Sequence, residues 1–431
     1  MRRLANRRLA EECYLDQPVG GPVLCVIPRL GHHRRFASVT VRYGSVDNRF
    51  VPPGSAAPVE VPAGIAHFLE HKLFEDEAGN VFDRFAALGA SANAYTSHTH
   101  TSYHFTTTGD FPAAYALLLE FVQRPYFTPE TVKKEQGIIE QEIKMYLDDP
   151  QWRVYQNLLE ALFQEYPVRL DIAGTVESVR RIRVEDLYLC YRAFYRPAQT
   201  VVCVSGDVDP EEMARLTSRL MPPGAGEAEV RRLYPEEPPG VAFPRREEAM
   251  PVAEPVLYLG FKEGSTGERG EPLLRRELAT QLLLDTLVGR ASPLFSRLYE
   301  EGLIDDRFGA SYLGEVFYGA SILGGETPQP DRLEEELRRG IAAARSAGVD
   351  RAAFERGRRK LTGDALRSFN SPQAAARAFG SGYLRGIGPY DYLEALDALG
   401  VEDLEKRLTE HLREDNLAVS VVRPREPAKD R

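Results

Sequence analysis

The stretch Gly64-Ile65-Ala66-His67-Phe68-Leu69-Glu70-His71-Lys72-Leu73-Phe74 decides how this chain reads. His67, Glu70 and His71 stand at i, i+3 and i+4, so on a helix all three point to one side. Two neutral imidazoles one turn apart form a clamp for a divalent cation, and the carboxylate between them lies beside whatever that cation holds. Phe68, Leu73 and Phe74 give such a helix apolar surface to bury. A plainer reading makes this a chance meeting of two histidines and a glutamate, so the pattern needs support elsewhere in the chain.

That support comes some seventy residues later. Thr128-Pro129-Glu130 reads as a helix start, with Thr128 as N-cap and Pro129 at the first helical position. The helix is expected to run to about Tyr146 and to stop before Asp148-Asp149-Pro150. Val132, Glu135, Ile139, Glu142 and Tyr146 follow a 3-4-3-4 spacing and share one stripe. A buried carboxylate is costly unless it is paired or bound to metal. Glu135 and Glu142 are therefore both candidates to face the histidine helix, whereas Glu130 and Glu140 fall off the stripe and are expected to be solvated.

With both stretches in hand, the chain resembles the pitrilysin/insulinase and mitochondrial-processing-peptidase superfamily of zinc proteases. Its signature is H-x-x-E-H, the inverzincin order, followed by E-x-x-x-x-x-x-E on a later helix. Glu135-Gln136-Gly137-Ile138-Ile139-Glu140-Gln141-Glu142 matches the second part. The resemblance implies His67, His71 and Glu142 as ligands of one Zn2+ per chain, Glu70 as general base and Glu135 as a supporting residue. Ala90-Ser91-Ala92-Asn93-Ala94-Tyr95-Thr96 resembles the family's substrate-binding edge strand. This implies peptide contacts at Ala92, Asn93, Ala94 and Tyr95, with Phe74 and Tyr95 lining side-chain pockets. The likeness continues through Ala173-Gly174-Thr175 to the C-terminus. Lys72-Leu73-Phe74-Glu75 is most similar to a bacterial branch of short members.

The chain has 431 residues, of which 43% are hydrophobic and 27% charged, with a formal net charge of −10. That suits a globular protein large enough for two domains with full cores. The acidic balance speaks against a general nucleic-acid binder, and no apolar run approaches a membrane span. Met1-Arg2-Arg3-Leu4 starts basic, but Asn6, Arg7 and Arg8 stand where a signal peptide needs its apolar stretch, so a cytoplasmic location is expected. Cys13, Cys25, Cys190 and Cys203 form no C-x-x-C pair and are expected to be reduced, with Cys25 and Cys203 in buried strand-like runs.

Strands are expected over Pro22 to Ile27, Phe36 to Tyr43 and Thr200 to Ser205, and helices over Asn80 to Leu88, Pro112 to Val122, Gln151 to Glu165 and Val184 to Tyr195. Ala90 to Thr108 reads as two strands with a turn near Ser97 to Thr99. His98, His100 and His104 share a face of an extended chain. With no carboxylate or cysteine beside them, they read as a polar sheet face rather than as ligands. His32 and His33 read as loop surface, and Trp152 as a packing residue. Met221-Pro222-Pro223-Gly224-Ala225-Gly226 opens a stretch rich in Pro, Gly and Glu, read as a linker over 221–248 between an N-terminal zinc-binding domain, 1–220, and a C-terminal domain, 249–431.

The second half repeats the first. Val184-Glu185-Asp186-Leu187 recurs as Val401-Glu402-Asp403-Leu404, 217 residues later, and the same register aligns Arg196 with Arg413, Val202 with Val419 and Val204 with Val421. Duplication implies two similar α+β domains. Leu273 to Val288 then corresponds to the histidine helix, but it contains no histidine, so no metal is expected in the second domain. Each domain is expected to be a mostly antiparallel sheet with helices on one face, as the resemblance also implies, and the two to face each other across a cavity.

These readings converge on a zinc metalloendopeptidase that cleaves unfolded or flexible peptides in an enclosed chamber. A zinc-retaining interaction subunit that does not cut would not need an intact Glu70. A metal-stabilised scaffold would need a fourth protein ligand, and three are found. By resemblance, self-sufficient relatives carry an Arg and a Tyr seven residues apart in the second domain. The matching stretch here, Ser296-Arg297-Leu298-Tyr299-Glu300-Glu301-Gly302-Leu303-Ile304-Asp305, lacks that pair, and Tyr312 lies outside the motif. The expectation is a zinc-bearing subunit of a heterodimer whose homologous partner supplies the pair. The alternative is a self-sufficient homodimer in which Arg297 or Arg307 substitutes.

Overall fold

The computed structural model describes residues 1–77, 79–224 and 229–425, so residues 225–228 of the expected linker lie outside the described residues. It is an α+β structure with two compact units, interleaved in sequence. The first comprises Met1–Ile143, Asp171–Tyr234 and Ala365–Tyr390, and the second Lys144–Leu170, Pro235–Asp364 and Asp391–Arg431.

The first unit is built on a seven-stranded sheet, in the order Arg2–Asn6, Glu11–Asp16, Val23–Pro28, Thr200–Gly206, Arg35–Val41, Thr101–Thr107, Ala90–Thr96. Strand Thr200–Gly206 runs parallel to Val23–Pro28, and the other pairings are antiparallel. Side chains alternate between the sheet faces. Leu24, Val26, Val39, Val41, Phe105 and Val202 meet Phe68, Leu69, Leu118 and Phe194 from the helices on one face. Cys25, Phe36, Val201 and Cys203 face the other way, against Ala375, Ala376 and Phe379 of helix Pro372–Leu384. All four cysteines are free and buried.

The second unit repeats this plan. Its five-stranded sheet has the order Arg245–Met250, Leu417–Pro424, Val256–Lys262, Gly319–Glu326, Gly309–Gly314. Again one pair is parallel and the rest antiparallel. Each strand matches its counterpart in the first sheet from Val23–Pro28 onward, in position and direction. Helix Glu271–Val288 packs on strand Gly309–Gly314, as Ile65–Leu73 packs on Ala90–Thr96. Helix Pro150–Leu162 covers the other sheet face, and a Cβ at Gly260 would stand 2.8 Å from Leu162. Each sheet thus carries helices on both faces, with Pro372–Leu384 on the second face of the first sheet and Pro150–Leu162 on that of the second. The 221–248 stretch is not all connecting chain: Arg231–Arg232 pairs with Phe50 and Val51, and Arg245–Met250 is an edge strand of the second sheet.

Among the described residues, no helix is long and apolar enough to cross a membrane.

Candidate metal centre

The histidine helix, Ile65–Leu73, begins at a backbone position that only glycine fills comfortably. Gly64 has φ 90°, and a Cβ there would lie 2.4 Å from the Ala173 carbonyl oxygen. Gly174, with φ 77°, closes from the other side, where a Cβ would lie 2.5 Å from the Ala63 oxygen. Ser178 Oγ donates to that same Ala63 oxygen at 2.8 Å. The Ala173-Gly174-Thr175 segment thus clasps the start of the helix. The glutamate helix runs Pro129–Leu147, and the Thr131 amide donates to Thr128 Oγ1 at 3.2 Å, the N-terminal cap expected of that threonine. Its buried side holds Val132, Glu135, Gln136, Ile139 and Ile143, which leaves Glu142 half-buried at the margin of the stripe.

These helices bring three of the expected residues together. The rings of His67 and His71 are 4.5 Å apart, nearly edge to face. Glu142 Oε1 lies 3.8 Å from His67 Nε2, and its Oε2 lies 3.6 Å from His71 Nε2. The donor atoms of His67, His71 and Glu142 all fall within 4.8 Å of one another, and no other such group of three occurs among the described residues. A tetrahedral zinc with bonds near 2.0–2.2 Å sets its ligand atoms about 3.3 Å apart. The donor set and spacing therefore fit zinc after a small contraction.

Glu135 reaches His71 from behind, with Oε1 2.9 Å from Nδ1. A carboxylate accepts only, so Nδ1 carries the proton and Nε2 is left as the donor to a cation. Burial depresses His71, but the hydrogen bond to Glu135 and the charges of Glu70, Glu135 and Glu142 outweigh it and hold the imidazole above its ordinary pKa. Among the described residues, none gives His67 Nδ1 such a partner. Burial, reinforced by the charge of His71, pushes it down to about 3, so it stays neutral and able to ligate. Glu140 points elsewhere, into a forked ion pair with Arg180 at 2.7–3.0 Å, and Glu130 is exposed.

Glu70 is 8% exposed. Burial raises its pKa, against the lowering effect of the Thr96 hydroxyl, which donates to Oε2 at 2.7 Å. Thr96 is the residue of this site that sequence reasoning missed. It lies inside the expected edge strand, but a hydroxyl on one strand aimed at one helix leaves no periodic trace. The strand Ala90–Thr96 is indeed an open edge of its sheet. Ala92, Ala94 and Thr96 share the face that meets the histidine helix, and Ala92 and Ala94 pack partly buried against the core. Asn93 is exposed on the opposite face, its Oδ1 accepting from the Ala94 amide at 2.7 Å.

Two expected contacts are placed differently. Phe74 is 6% exposed and stacks on Phe82 at 4.1 Å, with Tyr103 and Phe121 around it. It packs as core, because the helix ends there and folds its last aromatic ring inward. Tyr95 alternates to the face away from Glu70, where Arg377 sits 5.6 Å from its ring centre and His100 meets it edge-on. His98, His100 and His104 lie in and just before strand Thr101–Thr107. All three are buried, bonded to Ser45, Ser97 and Arg377, and burial pushes each down to about 4. His32 and His33 are exposed, and Trp152 stacks on Tyr146 at 4.9 Å.

Comparison with known proteins agrees with this picture. Residues 50–176 match the family described as insulinase (peptidase family M16), and residues 181–361 match the peptidase M16 inactive domain. The chain is 39% identical over 420 residues to the Bacillus subtilis (strain 168) protein called uncharacterized zinc protease YmfH, covering 97% of this chain and 98% of that one. The crystal structure of an M16-like peptidase from Alicyclobacillus acidocaldarius is 41% identical, with a TM-score of 0.92, over 96% of this chain and 99% of that chain. Pitrilysin, at 17% identity and a TM-score of 0.77, shares the fold; 98% of this chain matches 46% of that one. The chain belongs to the M16 peptidase family, the family of insulinase and pitrilysin.

Proposed function

We propose that this protein is a zinc metalloendopeptidase that cleaves unfolded or flexible peptides, and that it acts as the zinc-bearing subunit of a heterodimer. The observation that carries the peptidase reading is the convergence of His67, His71 and Glu142 beside a buried, oriented Glu70. A purely structural zinc site is closed by four protein ligands, whereas three leave a position for reaction. Zinc bound there supplies a Lewis acid that lowers the pKa of water and polarises the scissile carbonyl. Glu70 takes a proton from the attacking water and returns it to the leaving amine, a role favoured by a pKa that burial has raised above its ordinary value. Glu135 fixes the tautomer and tilt of His71. The open edge at Ala92 to Ala94 pairs with the peptide backbone, so selection rests on extended conformation more than on one side chain.

The heterodimer reading is supported by how the second unit uses Arg297, Arg307 and Tyr312. Arg297 is engaged by Glu336 at 2.6 Å and by Glu301 at 3.6 Å. Arg307 is engaged by Asp305 and Glu326. The Tyr312 hydroxyl donates to buried Glu263 at 2.7 Å. Groups already committed in this way are poor candidates to hold a substrate backbone and a developing oxyanion, work that calls for preorganised unspent donors.

The test is digestion of a peptide library by the full chain, alone and mixed with a homologous chain that lacks H-x-x-E-H but carries the Arg/Tyr pair. Cleavage should be weak alone and restored on mixing. It should vanish with a chelator and fall by at least about a thousandfold in Glu70→Gln. Efficient cleavage by the isolated chain would favour the homodimer. Undiminished cleavage by Glu70→Gln would overturn the mechanism.

A further inference from the structure

We propose that Thr96 is a positioning residue for Glu70, holding the carboxylate through Oε2 so that Oε1 is the oxygen that accepts the proton. This rests on the peptidase reading above and deepens it.

The donor direction of the contact is fixed by its neighbours. Thr96 Oγ1 lies 2.7 Å from Glu70 Oε2 and 3.4 Å from Thr101 Oγ1. Thr101 is the residue directly opposite Thr96 across the two strands, and it gives its own proton to the Tyr43 carbonyl at 2.9 Å. It is left as an acceptor only. An ionised carboxylate is also only an acceptor, so the single Thr96 proton is shared toward the nearer, charged partner, Glu70. Thr101 is fully buried, which makes the cross-strand pair a rigid mount rather than a solvated contact.

The rest of the surroundings favour the same role. A glutamate has three side-chain torsions and samples many rotamers unless something stops it. Ala92 and Ala94 precede Thr96 on the face that meets the histidine helix. Their small side chains let that helix approach the strand closely enough for a threonine hydroxyl to reach the carboxylate. The strand expected to receive the peptide and the residue that aims the base are thus one element, so a peptide seated at Ala92 to Ala94 is placed in register with Glu70.

The test uses the full-length zinc protein, with its partner subunit if it needs one, in Thr96→Val and Thr96→Ser forms. Valine keeps the volume and removes the donor, and serine keeps the donor. Zinc content and melting temperature are measured first and should match the parent. On a fluorogenic peptide, Thr96→Val should lower kcat roughly ten- to hundredfold with KM within about twofold, the signature of a misaimed base. Thr96→Ser should stay within about threefold of the parent. A second readout needs no turnover: acetohydroxamate, a metal chelator that also carries a hydroxyl for a carboxylate to accept from, is titrated into the Co2+-loaded protein and followed by its visible spectrum. Thr96→Val should bind it roughly tenfold more weakly, and Thr96→Ser should bind it like the parent. Parent-like kcat and acetohydroxamate affinity in Thr96→Val would overturn this proposal alone. So would equal impairment of the valine and serine forms at full metal content. A parent chain that holds no metal would overturn the peptidase reading and this proposal with it.

Discussion

Glu135 and Glu142 lie two turns apart on one helix, yet their surroundings give them different tasks. Glu142 faces both imidazoles with its two oxygens, and Glu135 is 5% exposed behind His71. Glu142→Gln is therefore expected to leave the purified protein with less than about a tenth of the parent's zinc after dialysis. Glu135→Gln should keep zinc but bind it roughly 10–100-fold more weakly in a chelator competition. Glu140→Gln, which breaks the ion pair to Arg180 and touches neither imidazole, should match the parent. Loss confined to Glu135→Gln would make Glu135 the ligand and contradict the assignment of Glu142. At this scale the sequence is informative where chemistry repeats on a period. His67, Glu70 and His71 announce themselves by i, i+3, i+4 spacing, and Glu135 and Glu142 by carboxylates on an apolar stripe. Thr96 and Phe74 do not, because one depends on a contact across elements and the other on which way a chain turns after its last helical residue.

The elements show the same division. Thr128-Pro129 and Asn80 mark helix starts through local capping, so both could be read from the chain; the Phe82 amide donates to Asn80 Oδ1 at 2.8 Å. Helices Pro150–Leu162 and Pro372–Leu384 are amphipathic, which says that one side is buried but not which sheet buries it. The first covers the sheet built mainly from the second half of the chain, and the second covers the sheet built mainly from the first half. No local pattern encodes that exchange. The clasp at the start of the histidine helix gives an element-scale prediction. Gly174→Ala forces a Cβ into the left-handed region and against the Ala63 oxygen. It should cost about 2 kcal/mol, read as a lower urea midpoint, and should weaken zinc binding because the helix start shifts. An unchanged midpoint and zinc affinity would mean that the clasp does not hold the site.

For the whole molecule, duplication is the feature most legible in the chain, since Val184 to Leu187 and Val401 to Leu404 open equivalent helices and the following strands, Thr200–Gly206 and Leu417–Pro424, occupy the same place in each sheet. Acid sensitivity is less obvious, because it arises from histidines that look ordinary in sequence. His98, His100 and His104 are held near 4 by burial, and His411, fully buried beside Ser321, near 3. Their folded pKa values lie below the unfolded value of about 6.5, so the unfolded chain binds more protons and stability falls as pH drops from about 6.5 toward 4. At pH 5.5 each such histidine should cost about 1.4 kcal/mol relative to pH 7.5. Glu263, held near 2 despite its burial by His411 and Arg407, adds a loss only between about 4.5 and 2. Urea unfolding at the two pH values should show the drop, smaller in His104→Gln, and equal midpoints would refute it. The central claim is that His67, His71 and Glu142 together hold one catalytic zinc, and anomalous diffraction at the zinc edge tests it most directly. The account predicts one peak per chain, about 2.0–2.2 Å from His67 Nε2, His71 Nε2 and a Glu142 oxygen. A peak elsewhere, or a zinc with a fourth protein ligand closing the site, would contradict it.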